Sequence, residues 1–233
     1  MRIDRLHLIS FLEAIKIGGD IKIEEVVFNF TERGLEVVSD IPYNVGQVRA
    51  LITSSFFEDY TPYGKVGIDS LLEFTNILKH FRAEEINISI EGAALMITSS
   101  DKQMMKQLVD PQYIPVTKIL ELPDYKSMFE LSATQISQLR SEAKSNKCET
   151  ITISSIPGEV TFSDVGRHTV NTKIKSETCN EEQPTQFNGK IVLELLANNT
   201  KECTTEIWFG HDLPLVINFK TKNIKLQYIL LRC

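Results

Sequence analysis

SLLEFTNILKHFRAEEINISIEGAALMITSS, residues 70–100, is the stretch on which the fold turns. Leu71, Phe74, Leu78 and Phe81 recur at helical spacing, and Ser70 with Glu73 has the S-x-x-E spacing of a capping box, which satisfies orphan backbone donors from both directions. INISIEG and ALMITSS then alternate as a strand pair. The unit is therefore a helix running into two strands, with Lys79, His80 and Arg82 gathered at the helix end of a chain whose formal net charge is −6. Residues 132–164, SATQISQLRSEAKSNKCETITISSIPGEVTFSD, repeat the plan. Ser132 and Gln135 open this second helix, Ile136, Leu139 and Ala143 form its apolar stripe, and ETITISS and GEVTFSD are its strands.

Outward from these two stretches the same plan recurs. A first helix is expected over about 4–17, with Leu8, Phe11, Leu12 and Ile15 on one face and Gly18-Gly19 as its stop. IKIEEVVFNF and GLEVVSD flank the turn TERG, and VGQVRALITSSF continues the sheet. A fourth helix, of weaker amphipathicity, is expected over about 189–199, before the strands CTTEIWF, PLVINFK and IKLQYILL. Helix starts near 4, 70, 132 and 189 give four helix-plus-strands units of about sixty residues, a repeat of architecture rather than of sequence. The stretch 108–125, LVDPQYIPVTKILELPDY, holds three prolines and no clean period, so it reads as an extended connector. The expected organisation is α+β: a domain over 1–109, a connector over 110–126 and a similar domain over 127–233, each with two units. KSETCNEEQPTQ, 175–186, is expected to be a loop standing free of the sheet.

Composition and motifs narrow the chemistry. With 233 residues, 42% hydrophobic and 24% charged, the chain has ordinary globular composition. Its acidic balance argues against coating nucleic acid over the whole surface and leaves room for a local basic patch. Cys148, Cys179, Cys203 and Cys233 form no C-x-x-C pair, which gives zinc or a redox dithiol no support. His7, His80, His168 and His211 are scattered singly. The pairs Glu24-Glu25, Glu58-Asp59 and Glu84-Glu85 suit a metal only if tertiary structure brings them together, since strand neighbours point to opposite faces. No phosphate loop, nucleophile elbow or zinc-helix motif occurs, so no catalytic residue, metal or cofactor is expected. The opening MRIDRLHLIS lacks the features of a signal peptide and no apolar run reaches bilayer length, so the expectation is an intracellular protein, nuclear or cytoplasmic, with no membrane partner.

The cations on the helices carry more information. Lys79 and His80 lie off the apolar stripe with Arg82 at the flank; Lys144 does the same with Arg140 and Lys147 beside it. Arg5 and Lys16 belong to the first helix and Lys190 to the fourth, with Lys201 just beyond it. Any one of them complements a helix C-terminus for typically 0.3–1 kcal/mol. If four such units lie in one layer, their helices share a face and the cations form a stripe.

In order and spacing, GLEVVSDIPYNVGQVRALI with the SFFEDY that follows, ILKHFRAEEINISIEG, LELPDY and DLPLVINFKTKNIKLQYILL resemble the DNA polymerase sliding clamps of the proliferating cell nuclear antigen family. The resemblance covers most of the chain and is weakest over the first thirty residues and 164–190. It implies a ring around duplex DNA, with helices lining the hole and strands outside, acting as a processivity factor and docking platform without enzymatic activity. The DNA-facing positions it implies are Lys16, Lys79, His80, Arg82, Arg140, Lys144, Lys147 and Lys201. Asn76 and Asn198 fall where the family often has lysine, which thins this lining. Contacts would be to phosphate and sequence-independent, which permits sliding.

The resemblance further implies a pocket for client peptides at Val45, Leu120, Leu122, Pro123, Pro214, Ile229 and Leu231, with Asp40 and Gln47 departing from the family's apolar preference. Ring closure is expected from edge strands, with Met104, Lys106 and Leu108 of one subunit meeting Thr169, Asn171 and Lys173 of the next. Implied partners are double-stranded DNA, further copies as a homotrimer or related chains as a heterotrimer, DNA polymerase, a clamp loader, and flap nuclease and ligase. The alternatives are a monomeric processivity factor and, in a different class, a metal-dependent hydrolase using the acidic pairs.

Overall fold

A computed structural model describes residues 1–17, 22–100, 102–115, 118–176, 178–180, 182–198 and 203–232. The chain forms two compact units, one of Met1–Pro42, Val48–Ile119 and Lys222–Lys225, the other of Tyr43–Gln47, Leu120–Thr221 and Leu226–Cys233.

The first unit begins with β1 (Arg2–Asp4) and α1 (Arg5–Lys16), continues through β2 (Val26–Thr31), β3 (Gly34–Ile41), β4 (Gly46–Thr53) and β5 (Gly64–Ile68), and then repeats the plan with α2 (Leu71–Lys79), β6 (Glu85–Glu91), β7 (Ala94–Thr98) and β8 (Gln103–Gln107). One sheet runs in the order β1-β6-β7-β8, and β5, β2, β3 and β4 pair in that order in another. Asp4 caps α1 by accepting the His7 N–H at 2.8 Å, and the helix buries Leu8, Phe11, Leu12 and Ile15. Leu71, Phe74, Leu78 and Phe81 are all buried as their spacing requires. Each such side chain contributes roughly 1.5–3 kcal/mol of burial, and Phe74 packs against Phe28 with ring centroids 6.0 Å apart.

Two local expectations are corrected here, and one strand is added. The capping box at α2 is half formed: the Ser70 hydroxyl accepts the Glu73 N–H at 3.1 Å, while the Glu73 carboxylate turns to the Lys106 ammonium instead of reaching back. Only the second half of IKIEEVVFNF is strand, since residues 22–25 precede β2 as irregular chain and Ile23 N–H bonds to Lys16 O at 3.1 Å. β5, whose two glycines weaken its sequence signal, pairs with β2 over a stretch for which the sequence carried no expectation. A Cβ at Gly67 would sit 2.5 Å from the Val109 carbonyl, so glycine is what permits the β-bridge between Gly67 and Val109. The Gly18-Gly19 stop lies outside the described residues.

The second unit contains β9 (Ser127–Leu131), α3 (Ala133–Asn146), β10 (Thr150–Ile156), β11 (Gly158–Val165), β12 (Thr169–Ser176), β13 (Glu182–Asn188), α4 (Gly189–Leu196), β14 (Thr204–Phe209), β15 (Leu215–Lys220) and β16 (Ile224–Leu230). β12, β11, β10 and β13 form one sheet in that order, against which α3 and α4 pack, and β16, β15, β14 and β9 follow one another in a second. Phe129 lies at the centre of the core, 5.4 Å from Phe162 and 5.6 Å from Phe209 between ring centroids. At α3 the capping box is complete, with the Gln135 side chain accepting the Ser132 N–H at 2.9 Å.

The stretch 175–186 does not stand free. β13 pairs with β10, Cys179 is buried, and Asn180 is held through its N–H to the Ser127 hydroxyl at 3.1 Å. Pro184 is tolerated because β13 is an edge strand whose register shifts between Ile153 and Ser155, just opposite the proline. α4 is sharply two-sided rather than weakly so: Ile191, Val192, Leu195 and Leu196 are buried while Lys190 is exposed.

Candidate nucleic-acid and partner interfaces

In the first unit α1 and α2 pack side by side, and this brings Lys16 and Lys79 to the same carboxylate. Glu13 receives Lys16 Nζ on Oε2 at 2.8 Å and Lys79 Nζ on Oε1 at 2.7 Å. Burial disfavours the Glu13 anion, but hydrogen bonds from the two lysines outweigh it and hold the carboxyl below its ordinary value of 4.5. His80 follows α2, with Nδ1 2.6 Å from the Asn76 carbonyl. A carbonyl only accepts, so Nδ1 carries the proton and caps the helix C-terminus, a role the spacing alone did not disclose. Arg82 is exposed, and no carboxylate of a described residue lies within ion-pair distance.

In the second unit Arg140 and Lys144 are exposed one helical turn apart on α3, beside Ser137 and Ser141. Lys147 stands at the helix end with φ 53 and ψ 52, a left-handed conformation closed by Lys147 N–H to Lys144 O at 3.3 Å and Cys148 N–H to Ala143 O at 2.9 Å. That is a Schellman ending, in which glycine is the usual residue. The α3 carboxylate Glu142 is half-buried and engaged by the Thr172 hydroxyl at 3.0 Å and Gln138 Nε2 at 2.8 Å. Asn198 gives its amide to the buried Tyr228 hydroxyl at 2.6 Å, so it serves the interior. Lys201 lies outside the described residues.

The fold that carries these helices recurs in known proteins. PCNA from A. fulgidus, in a structure with the C-terminal region of FEN-1 bound, superposes with a TM-score of 0.87 over 100% of this chain and 97% of that one, at 17% identity. The fold is that of the DNA polymerase sliding clamps. PCNA from Entamoeba histolytica matches at 0.81 and 18% identity over 100% and 97% of the two chains, and the PCNA2–PCNA3 complex from Sulfolobus tokodaii at 0.78 and 16% over 100% and 99%. In sequence, the chain is 24% identical over 217 residues to DNA polymerase sliding clamp 3 of Sulfurisphaera tokodaii, covering 84% of this chain and 85% of that one. It is likewise 24% identical over 220 residues to the DNA polymerase sliding clamp of Methanothrix thermoacetophila, covering 89% and 88%. No family model matches the chain.

Within this clamp fold the residues expected to receive a client peptide all belong to the second unit. Leu231 N–H bonds to Val45 O at 2.8 Å, Leu120 N–H to the Gln47 side chain at 3.4 Å, and the Tyr125 hydroxyl to Pro214 O at 2.8 Å. These bonds anchor the connector and the C-terminal residues about Val45 and Pro214. Val45, Leu120, Leu122 and Pro214 are half-buried, and Pro123 and Leu231 are exposed. Ile229 departs from the expectation: it is 0% exposed, its carbonyl lies where a Cβ on Gly46 would fall, and its side chain is core. Gln47, also 0% exposed, fills the site of an apolar residue with an amide that holds the connector backbone. In the first unit, Val38, Asp40, Pro42, Ile114 and Ile119 line a separate groove of about 710 Å³.

Two edge strands fall where the resemblance places them, β8 at one end of its sheet and β12 at one end of the other. On β12, Thr169, Asn171 and Lys173 are exposed, with Lys173 paired to Glu159 at 2.7 Å. On β8 the expected face is off by one residue. Lys106 is buried, 4% exposed, and bound to Asp69 at 2.7 Å and to Glu73; Met104 and Leu108 are half-buried. The outward set is Gln103, Met105 and Gln107. Among the described residues no group of three or more His, Cys, Asp or Glu could hold a metal, and no helix is long and apolar enough to cross a membrane.

Proposed function

We propose that the protein is a sliding clamp that encircles duplex DNA and tethers replicative polymerase and other DNA-processing enzymes, serving as an accessory factor without catalysis of its own. The observation that carries this reading is the clamp fold over the full length of the chain. Arg82, Arg140, Lys144 and Lys147 supply exposed positive charge on or beside the helices, suited to phosphate contacts that prefer no position along a duplex. Assembly through β8 and β12 into a ring of three copies, or of related chains, would occupy two edges that are otherwise templates for aggregation. Val45, Leu120, Leu122, Pro123, Pro214 and Leu231 suit the apolar anchors of a short client peptide, the class to which flap nuclease, ligase and polymerase tails would belong.

The test is primer extension by a partner polymerase on primed circular DNA and on the same template linearised with free ends, with a clamp loader present. Topological tethering gives long products on the circle and loses them on the linear template. Equal stimulation on both templates would show that direct charge contact holds the DNA, as in a monomeric processivity factor.

A further inference from the structure

We propose that Glu13 is a built-in attenuator of DNA contact: it occupies Lys16 and Lys79, so that the first unit's helix pair offers little net charge to phosphate while α3 of the second unit carries the main backbone contact. The inference rests on the clamp reading above. Each Glu13 oxygen takes one ammonium, at 2.8 Å from Lys16 and 2.7 Å from Lys79. Two cations and one anion leave a net charge of +1 where the spacing of the lysines promises +2. A phosphate that recruits either lysine must displace a carboxylate and then remain beside it, so the exchange gains little. The hydrogen bonds from both lysines keep Glu13 ionised through the neutral range. On α3 no such partner exists among the described residues, because the Glu142 carboxylate is turned to Thr172 and Gln138. A weak grip from one unit lowers the cost of each step along the duplex, which suits a protein retained by topology.

Two measurements on the full chain decide it. In the first, binding to a short blunt-ended duplex, where topology contributes nothing, is followed by fluorescence anisotropy across a salt series. Glu13→Gln should steepen the slope of log K against log salt by about one to two units, ~0.9 per freed cation, and tighten binding roughly tenfold at low salt. Adding Lys79→Gln to Glu13→Gln should reverse about half of that gain. In the second, lysines of the unaltered protein are acetylated with and without duplex and read by mass spectrometry, which does not depend on any variant folding. Protection of Lys144 and Lys147 by DNA with none at Lys16 and Lys79 is expected. An unchanged slope for Glu13→Gln, or DNA protection of Lys16 and Lys79 equal to that of Lys144, overturns the attenuator; a weakened Arg140→Gln/Lys144→Gln variant in the same assay would show that the DNA-facing helix is nevertheless real. No binding and no protection in any form would sink the DNA reading itself, and the attenuator with it.

Discussion

Lys147 shows how a single residue records a conflict between folding and function. A non-glycine residue in the left-handed region costs roughly 1–2 kcal/mol, and the chain accepts that cost at the end of α3 while keeping a cation exposed there. Lys147→Gly should raise stability by up to about 1 kcal/mol, the relief being partly offset by the greater freedom of glycine in the unfolded chain. The same change should flatten the salt slope of duplex binding by ~0.9 unit. Urea denaturation alongside the anisotropy series checks both, and a loss of stability would mean that the Lys147 side chain makes a contact that outweighs its backbone strain. The residue scale is also where sequence reading failed most. Ile229 alternates correctly for an outward position, and nothing in its neighbours discloses that its side chain is fully buried.

At the scale of elements, Lys106 links β8 to the start of α2. Burial favours the neutral amine, but the hydrogen bonds to Asp69 and Glu73 prevail and raise its pKa above the ordinary 10.5. In return the bond from Lys106, opposed by burial, holds Asp69 below its ordinary 3.8. The signs follow by linkage. The Asp69 contribution is complete above pH 3.8 and is lost as pH falls through its lowered folded value; the Lys106 contribution is complete below pH 10.5 and is lost as pH rises through its raised folded value. Lys106→Met should cost about 1–2 kcal/mol near neutrality, since both carboxylates are close to half exposed and Glu73 becomes free to close the capping box on Ser70. It should also make stability less sensitive to acid below pH 4. Denaturation midpoints from pH 3 to 11 test this, and an unchanged acid limb would mean that Asp69 does not depend on the lysine. Here the sequence was partly legible. The S-x-x-E spacing located the helix start correctly, but it could not reveal that a lysine 33 positions later would take the glutamate away.

For the whole molecule, the two edge strands define what assembly requires. Met105 is 59% exposed on the outward face of β8, so Met105→Glu should change monomer stability by no more than about 0.5 kcal/mol. If β8 meets β12 of another copy, the same change should shift the mass in solution from three times that of the chain toward one, as read by light scattering at micromolar concentration. A trimer that persists unaltered would place the assembly contact elsewhere. The repeat of helix and strands made this level the most legible of the three: four helix starts and two halves follow from periodicity and spacing, while the edge positions near 101–109 and 167–175 were implied by the resemblance to the sliding clamps. Where it erred, the competing signals were local. Glycines in GKVGI hid β5, proline in EQPTQ hid β13, and the neighbouring connector hid SMFEL, whose alternation of Ser127, Phe129 and Leu131 toward the interior was in fact clean.

By itself the sequence determined the four helices and many of the strands, how often the plan repeats, and which helices carry cations, because these depend on periodicity and on capping within a few residues. Tertiary structure alone decided which of those cations are available. Lys79 is joined to Glu13 on a packed neighbouring helix, the same carboxylate that holds Lys16 three residues along its own helix; Lys106 is drawn inside, and His80 is turned back on its own helix, while Arg82, Arg140, Lys144 and Lys147 stay exposed. A charge in a sequence has a sign but no partner. For Lys79 and Lys106 the partner is set by residues far away in the chain, and at distances under 3 Å it governs whether that charge remains free.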